Sequence, residues 1–385
     1  MQTAQGSLKD ALESYQRGLA IDERLSAADP GNTGRLSDLS VDYSSIGDVQ
    51  TAQGSLAGAL ESYRKSLAIL EKLVALDPNN ADWQARLSSI YITLGDVQTA
   101  QGSLKDALES YQRGLAIDER LSAADPGNTG RLSALSVDYR SIGDVQKAQG
   151  SLAGALESYR RSLAILEKLV SLDPNNTDWQ NKLSFIYERV GLAQKAGGNL
   201  AKALESLSRS KAIREELSTQ DPDNTSWASN LDYSYSQVGD VQKAQGSLAG
   251  ALENYRKSLA ILEKLVALDP NNADWQARLS TIYITLGDVQ TAQGSLKDAL
   301  ESYQRGLAID ERLSAADPGN TGRLSALSVD YRSIGDVQKA QGSLAGALES
   351  YRRSLAIREK LVSLDPNNTD WQNKLSFIYE RVGLA

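Results

Sequence analysis

"GDVQTAQGSL", residues 95–104, recurs at 47–56, 143–152, 239–248, 287–296 and 335–344, in some copies with Lys for Thr. A glycine, an acidic residue and a second glycine seven positions on suit either a ligand-cradling loop or the punctuation between two helices. The spacing narrows the choice. The first glycine falls at Gly47, Gly95, Gly143, Gly239, Gly287 and Gly335, with Gly191 and Gly383 completing the series in altered surroundings. The step is 48 residues without insertion, and eight steps fill 384 of the 385 residues. A fixed period of this size marks stacked supersecondary units that bury a core only against their neighbours.

The periods are 1–48, 49–96, 97–144, 145–192, 193–240, 241–288, 289–336 and 337–384, read as one continuous array. Two flavours alternate, "SLKDALESYQRGLAIDERLSAADPGNTGR" (103–131) and "SLAGALESYRKSLAILEKLVALDPNNADW" (55–83). A larger duplication lies on top: residues 49–193 recur almost letter for letter at 241–385, with changes that include Ser62 to Asn254, Ser89 to Thr281 and Leu166 to Arg358. Such near-identity points to recent amplification or to engineering.

Within residues 55–102, Leu56, Leu60, Tyr63, Leu67, Leu70 and Val74 step by three and four, which puts them on one face of a helix. Ala59, Ile69, Leu73 and Leu76 widen the stripe, and Glu61 with Lys65 makes an outer i,i+4 pair. Ser55 is the expected N-cap. "DPNN" (77–80) ends the helix, since proline cannot continue it, and Asn80 is placed to cap the next one. That second helix carries Trp83, Leu87, Ile90, Tyr91, Leu94 and Val97, and Gly102 supplies the reversal into Ser103. The quoted stretch is therefore a helix end, a glycine turn and the next helix start. Gly95 lies inside the helix, where it costs about 1 kcal/mol relative to Ala; close approach of the neighbouring helix is the expected reason.

Composition narrows function. The net charge is −8, which argues against binding to phosphate backbones or anionic membranes. There is no cysteine and no histidine, so thiolate chemistry, disulfides, the commonest general base and the commonest metal ligand are all missing. No apolar run approaches the roughly 18–20 residues that span a membrane, and the N-terminus has no signal-peptide pattern. A cytoplasmic, non-enzymatic protein without cofactor or metal is expected. The Asp-Pro-x-Asn units lack the dense alternating carboxylates of a calcium loop and read as turns and caps.

Tyr91, Leu94, Gly95, Gly102, Ala107, Tyr111 and Leu115 are spaced as in the tetratricopeptide repeat family, which the whole chain resembles. Two positions depart from the family pattern: Gln98 replaces an aromatic, and the helix-ending proline, expected at Glu119, is delayed to Pro126. The longer period corresponds to about two extra turns per helix. It resembles the long-helix variants of kinesin light chains and bacterial signalling proteins. The resemblance implies an all-α, right-handed superhelical solenoid of antiparallel helix hairpins. Its Trp-containing helices line a concave groove that binds a peptide or partner protein, with no catalysis.

By that resemblance the groove-facing residues are Ser89, Ile92, Asp96 and Thr99, then Val137, Arg140, Asp144 and Lys147, then Phe185, Glu188, Leu192 and Lys195. Tyr233, Ser236, Asp240 and Lys243 follow, then Asp288, Arg332, Asp336 and Lys339. The aspartates, with Asp48, form a spaced acidic row partly offset by the lysines, which suits a basic partner segment. The family's Lys and Asn carboxylate clamp is absent from this face. Trp83, Trp179, Trp227, Trp275 and Trp371 are expected in packing, since Arg35, Arg131 and Arg323 replace them in the other flavour. Residues 192–238 are the outlier, with Leu207 for Tyr and Lys211 for Leu.

Met1 stands where other repeats have Val, and "RVGLA" (381–385) stops inside a Trp-type helix. An excised piece of a longer array is the expectation. Its two ends would expose complementary faces and allow end-to-end self-association into filaments or rings.

Overall fold

The computed structural model describes residues 2–385, with side chains from Ser7 onward; Met1 lies outside them. The chain divides into two compact units, Met1–Gly198 and Asn199–Ala385. All regular structure among the described residues is α-helical. The first unit holds α1 (Gln2–Ala28), α2 (Thr33–Ala52), α3 (Leu56–Leu76), α4 (Ala81–Ala100), α5 (Leu104–Ala124), α6 (Thr129–Ala148), α7 (Leu152–Leu172) and α8 (Thr177–Ala196). The second holds α9 (Leu200–Gln220), α10 (Thr225–Ala244), α11 (Leu248–Leu268), α12 (Ala273–Ala292), α13 (Leu296–Ala316), α14 (Thr321–Ala340), α15 (Leu344–Leu364) and α16 (Thr369–Gly383). Within each unit every helix packs on its neighbours in sequence, so the core is a succession of helix-to-helix seams.

The local chemistry repeats as faithfully as the letters. At each odd-to-even connection an asparagine caps the even helix: the Asn80 side chain accepts from the Trp83 amide at 3.1 Å. Asp77 Oδ1 accepts from the Asn79 amide at 3.1 Å, so the Asp-Pro-x-Asn oxygens serve the turn itself. At each even-to-odd connection Gly54 and its counterparts take positive φ, +77° at Gly54. Ser55 N–H then reaches Gln50 O at 2.8 Å, and Gly54 N–H reaches Thr51 O at 2.9 Å. This is the paired C-terminal closure that glycine permits. Ser55 makes no side-chain cap, contrary to expectation, whereas the longer Asn199 at the same position accepts from the Lys202 amide at 3.2 Å.

The expected core stripe packs as the periodicity requires. Ala59, Leu60, Tyr63, Leu70 and Leu73 are buried in one cluster with Leu87, Ile90, Tyr91, Leu94 and Val97, and Trp83 packs against its edge. Leu76 is an exception: it is 58% exposed, because the helix ends there and its last turn overhangs the seam. Mid-helix Gly95 has the predicted cause, since a Cβ there would lie 2.7 Å from the Tyr111 ring. α1 runs unbroken through Gly6, without the turn expected from the repeat; continuing the ladder adds a hydrogen bond per residue.

Candidate functional site

The even helices carry the expected groove residues, and their polar positions are bound into the fold more tightly than the sequence suggests. The acidic row is tied down at spacing 15. Tyr63, Tyr111, Tyr159, Tyr255, Tyr303 and Tyr351 each donate a phenol proton to Asp48, Asp96, Asp144, Asp240, Asp288 and Asp336, at 2.5–2.8 Å. Basic side chains then take part of the row: Arg189 lies 3.1 Å from Asp144, Lys243 3.3 Å from Asp288 and Arg381 3.2 Å from Asp336. Asp48 and Asp96 are exposed. Thr99 turns its hydroxyl back to Gly95 O at 2.8 Å, and Lys339 Nζ donates to Leu384 O at 2.9 Å. Ser89 and Tyr233 are exposed, while Lys147, Phe185, Lys195 and Ser236 are half-buried.

One row differs from expectation. Ile92, Arg140, Glu188, Ser236 and Arg332 occupy one period position. Glu188 is buried and the others are half-buried. The reason is visible at Ile92, whose Cδ1 would lie 2.8 Å from a Cβ on Gly114 of α5. The position forms a wall against the odd helix rather than an open groove surface.

That wall closes one side of a cavity which recurs along the array. Between α4 and α6 it has a volume of about 580 Å³, with Ser89, Ile92 and Val137 on its sides and Asp118 and Asp138 at its floor. Between α14 and α16 the equivalent positions line a cavity of about 320 Å³: Val329, Arg332, Arg358, Lys374, Phe377 and Ile378. The expected residues Ser89, Ile92, Val137 and Arg332 thus belong to this recurrent feature.

The floor pair is a set of residues that the periodicity argument missed. It joins an odd-helix residue to an even-helix residue 20 positions later, and the two change together in every copy but the last. The pairs are Leu70/Ile90, Leu166/Ile186 and Leu262/Ile282; Asp22/Asp42, Asp118/Asp138 and Asp310/Asp330; and Arg214/Ser234 and Arg358/Ile378. Coordinated change at a constant spacing was the available signal, and Arg358, which changed while Ile378 stayed, is the exception to it. Arg214 Nη1 reaches Ser234 Oγ at 2.8 Å and Asn230 O at 3.1 Å. Asp118 accepts from Ser88 Oγ at 2.5 Å. Asp138 is 3% exposed, and burial, followed by its hydrogen bond to and charge repulsion from Asp118, pushes its carboxyl up to about 8. The pair therefore shares a proton at neutral pH.

A family model described as tetratricopeptide repeat matches residues 51–128, and a second of the same description matches 239–309. Those two segments belong to the tetratricopeptide repeat family, and the 48-residue period carries their pattern through the rest of the chain. Among solved structures it is similar to BtubC (BKLC) from P. vanneervenii, at 20% identity and a TM-score of 0.51, covering 67% of this chain and 92% of that one. It is also similar to the apo form of RapI, at 15% identity and a TM-score of 0.50, covering 84% and 99% respectively. These likenesses concern the fold. No curated protein sequence matches the chain. Tetratricopeptide repeats serve as scaffolds for protein–protein contact, and the departures from the family pattern have local compensation here. Gln98, in place of the family aromatic, accepts from Ser110 Oγ at 2.8 Å. Among the described residues no helix is long and apolar enough to cross a membrane.

Proposed function

We propose that this tetratricopeptide array is a cytosolic, non-enzymatic scaffold whose even-helix face binds a basic segment of a partner protein. The observation that carries this reading is the cavity between α4 and α6. Its apolar walls, Ile92 and Val137, suit the stem of a lysine or arginine, and its floor presents paired carboxylates. The exposed Asp48 and Asp96 extend the same charge along the face. A bacterial signalling protein as the wider context rests on the family resemblance alone.

The test is a titration of labelled hexalysine followed by fluorescence anisotropy. The variant Asp118→Leu/Asp138→Ile, with Asp310→Leu/Asp330→Ile, installs the Leu/Ile pair that the fold already uses at 70/90, 166/186 and 262/282. Affinity should fall about fivefold or more. In the parent protein it should rise with pH from 6 to 9, because an entering ammonium displaces the shared proton. Hexalysine binding that is absent, or indifferent to the variant, removes this reading.

A second reading is end-to-end self-association. In α1, Tyr15, Ile21 and Leu25 are exposed, as are Phe377, Tyr379 and Leu384 at α16. Tyr63 and Tyr187, the internal counterparts of Tyr15 and Tyr379, are buried.

A further inference from the structure

The duplication contains a natural substitution experiment. Residues 97–193 and 289–385 are identical except at one position, Leu166 against Arg358. Leu166 is 3% exposed and packs as core; Arg358 occupies the same place at 4% exposure. A guanidinium taken out of water needs a counter-charge or a full set of acceptors. Arg358 has neither. Its bonds are long contacts to one residue, Ser325 Oγ at 3.3 Å and Ser325 O at 3.4 Å. Among the described residues no carboxylate lies within ion-pair distance of it. Its floor partner is Ile378, whereas the other buried arginine, Arg214, has Ser234.

The surroundings add positive charge. Arg332 lines the same cavity, with its Nε buried and unbonded. Lys374 is the third cation there. In the first unit the matching Lys182 holds Ser133 Oγ at 3.0 Å; in the second, Arg358 takes the equivalent Ser325, and Lys374 keeps only Asp370, at 2.7 Å. Burial, then the charge of Arg332, lowers the pKa of Arg358, with Asp370 opposing. Asp330, near Arg332, is held protonated by its own burial and by Asp310. The cavity is thus short of negative charge, with apolar walls from Val329, Phe377 and Ile378.

We propose that the cavity between α14 and α16, floored by Arg358 and flanked by Arg332, binds a carboxylate side chain of a partner peptide. A planar guanidinium donates two parallel hydrogen bonds to a carboxylate, which Lys alone does not offer. The site rests on the reading of the even-helix face as a binding face. It adds an acidic residue to what that face recognises in the second unit.

The experiment uses the full chain and a labelled, N-acetylated, C-amidated hexaglutamate followed by anisotropy. Arg358→Leu recreates the residue that α7 carries in identical sequence, so the helices should form; circular dichroism and a thermal melt check this. Hexaglutamate binding should weaken about tenfold or more in Arg358→Leu. Leu166→Arg should raise the number of hexaglutamate sites from one to two. Hexaglutamate that binds both proteins equally, or does not bind the parent, overturns the proposal. Equal binding of hexa-alanine with a free C-terminal carboxylate overturns the side-chain assignment. Hexalysine run in parallel keeps the two readings apart. Its failure alone removes the basic-segment reading, and the failure of hexaglutamate alone removes this one.

Discussion

Gly95 shows how a single missing methyl sets the spacing of two helices. The Tyr111 ring lies where its Cβ would be, and the Tyr111 phenol then reaches Asp96, the next residue, at 2.5 Å. Glycine, ring and carboxylate form one unit, repeated at Gly47, Gly143, Gly239, Gly287 and Gly335. Helix propensity alone would make Gly95→Ala stabilising by about 1 kcal/mol. The contact reverses the sign: the ring belongs to a side chain only 3% exposed and has no room to yield. Gly95→Ala should therefore destabilise by roughly 1–3 kcal/mol in urea denaturation. A stabilised variant would mean that the helices are not this close.

At the scale of the helix pair, the α5/α6 seam and its α13/α14 counterpart have a pH response built into them. Asp138 is pushed up to about 8 by burial and by Asp118, and Asp330, at the matching α13/α14 seam, to about 9 by burial and by Asp310. An unfolded aspartate titrates near ~3.9. Between those values the folded chain holds a proton that the unfolded chain has lost, so stability falls as pH rises from about 4 to 8 or 9. Thermal melts at intervals across this range should show a declining midpoint. Asp138→Asn with Asp330→Asn should flatten the decline and raise the midpoint at pH 8. A midpoint that climbs with pH throughout would contradict the shared proton. The α3/α4 seam, with Leu70 and Ile90 in the same places, has no such response to give.

For the whole molecule, the governing fact is that helices pack on sequence neighbours within each unit, so every seam resembles the next and stability is close to a sum of local terms. A chain of this kind presents at α1 and α16 the side chains that internal copies bury. Light scattering coupled to size exclusion, over a hundredfold range of concentration, measures whether those faces meet. A mass that climbs above 41.5 kDa with concentration supports end-to-end association. A constant 41.5 kDa rules it out and leaves the even-helix face as the place where partners bind.

Much of this was legible in the letters. The 48-residue step, the alternation of three and four between apolar residues, and the prolines and glycines at fixed offsets set the helix lengths, the turns and the core stripe. These depend on short-range sterics and on which side of a helix is apolar, and both are written in local sequence. The site was less legible. Tyr111 with Asp96, and Asp118 with Asp138, lie on different helices; only packing shows that one pair is a structural tie and the other a shared proton in a cavity floor. Arg358 makes the point most sharply. In the sequence it is one changed letter at the Leu70 place of the core stripe, with no sign of what surrounds it. The tertiary structure decided that it is buried beside Arg332 and over Ile378, because burial depends on what neighbouring helices place around a residue.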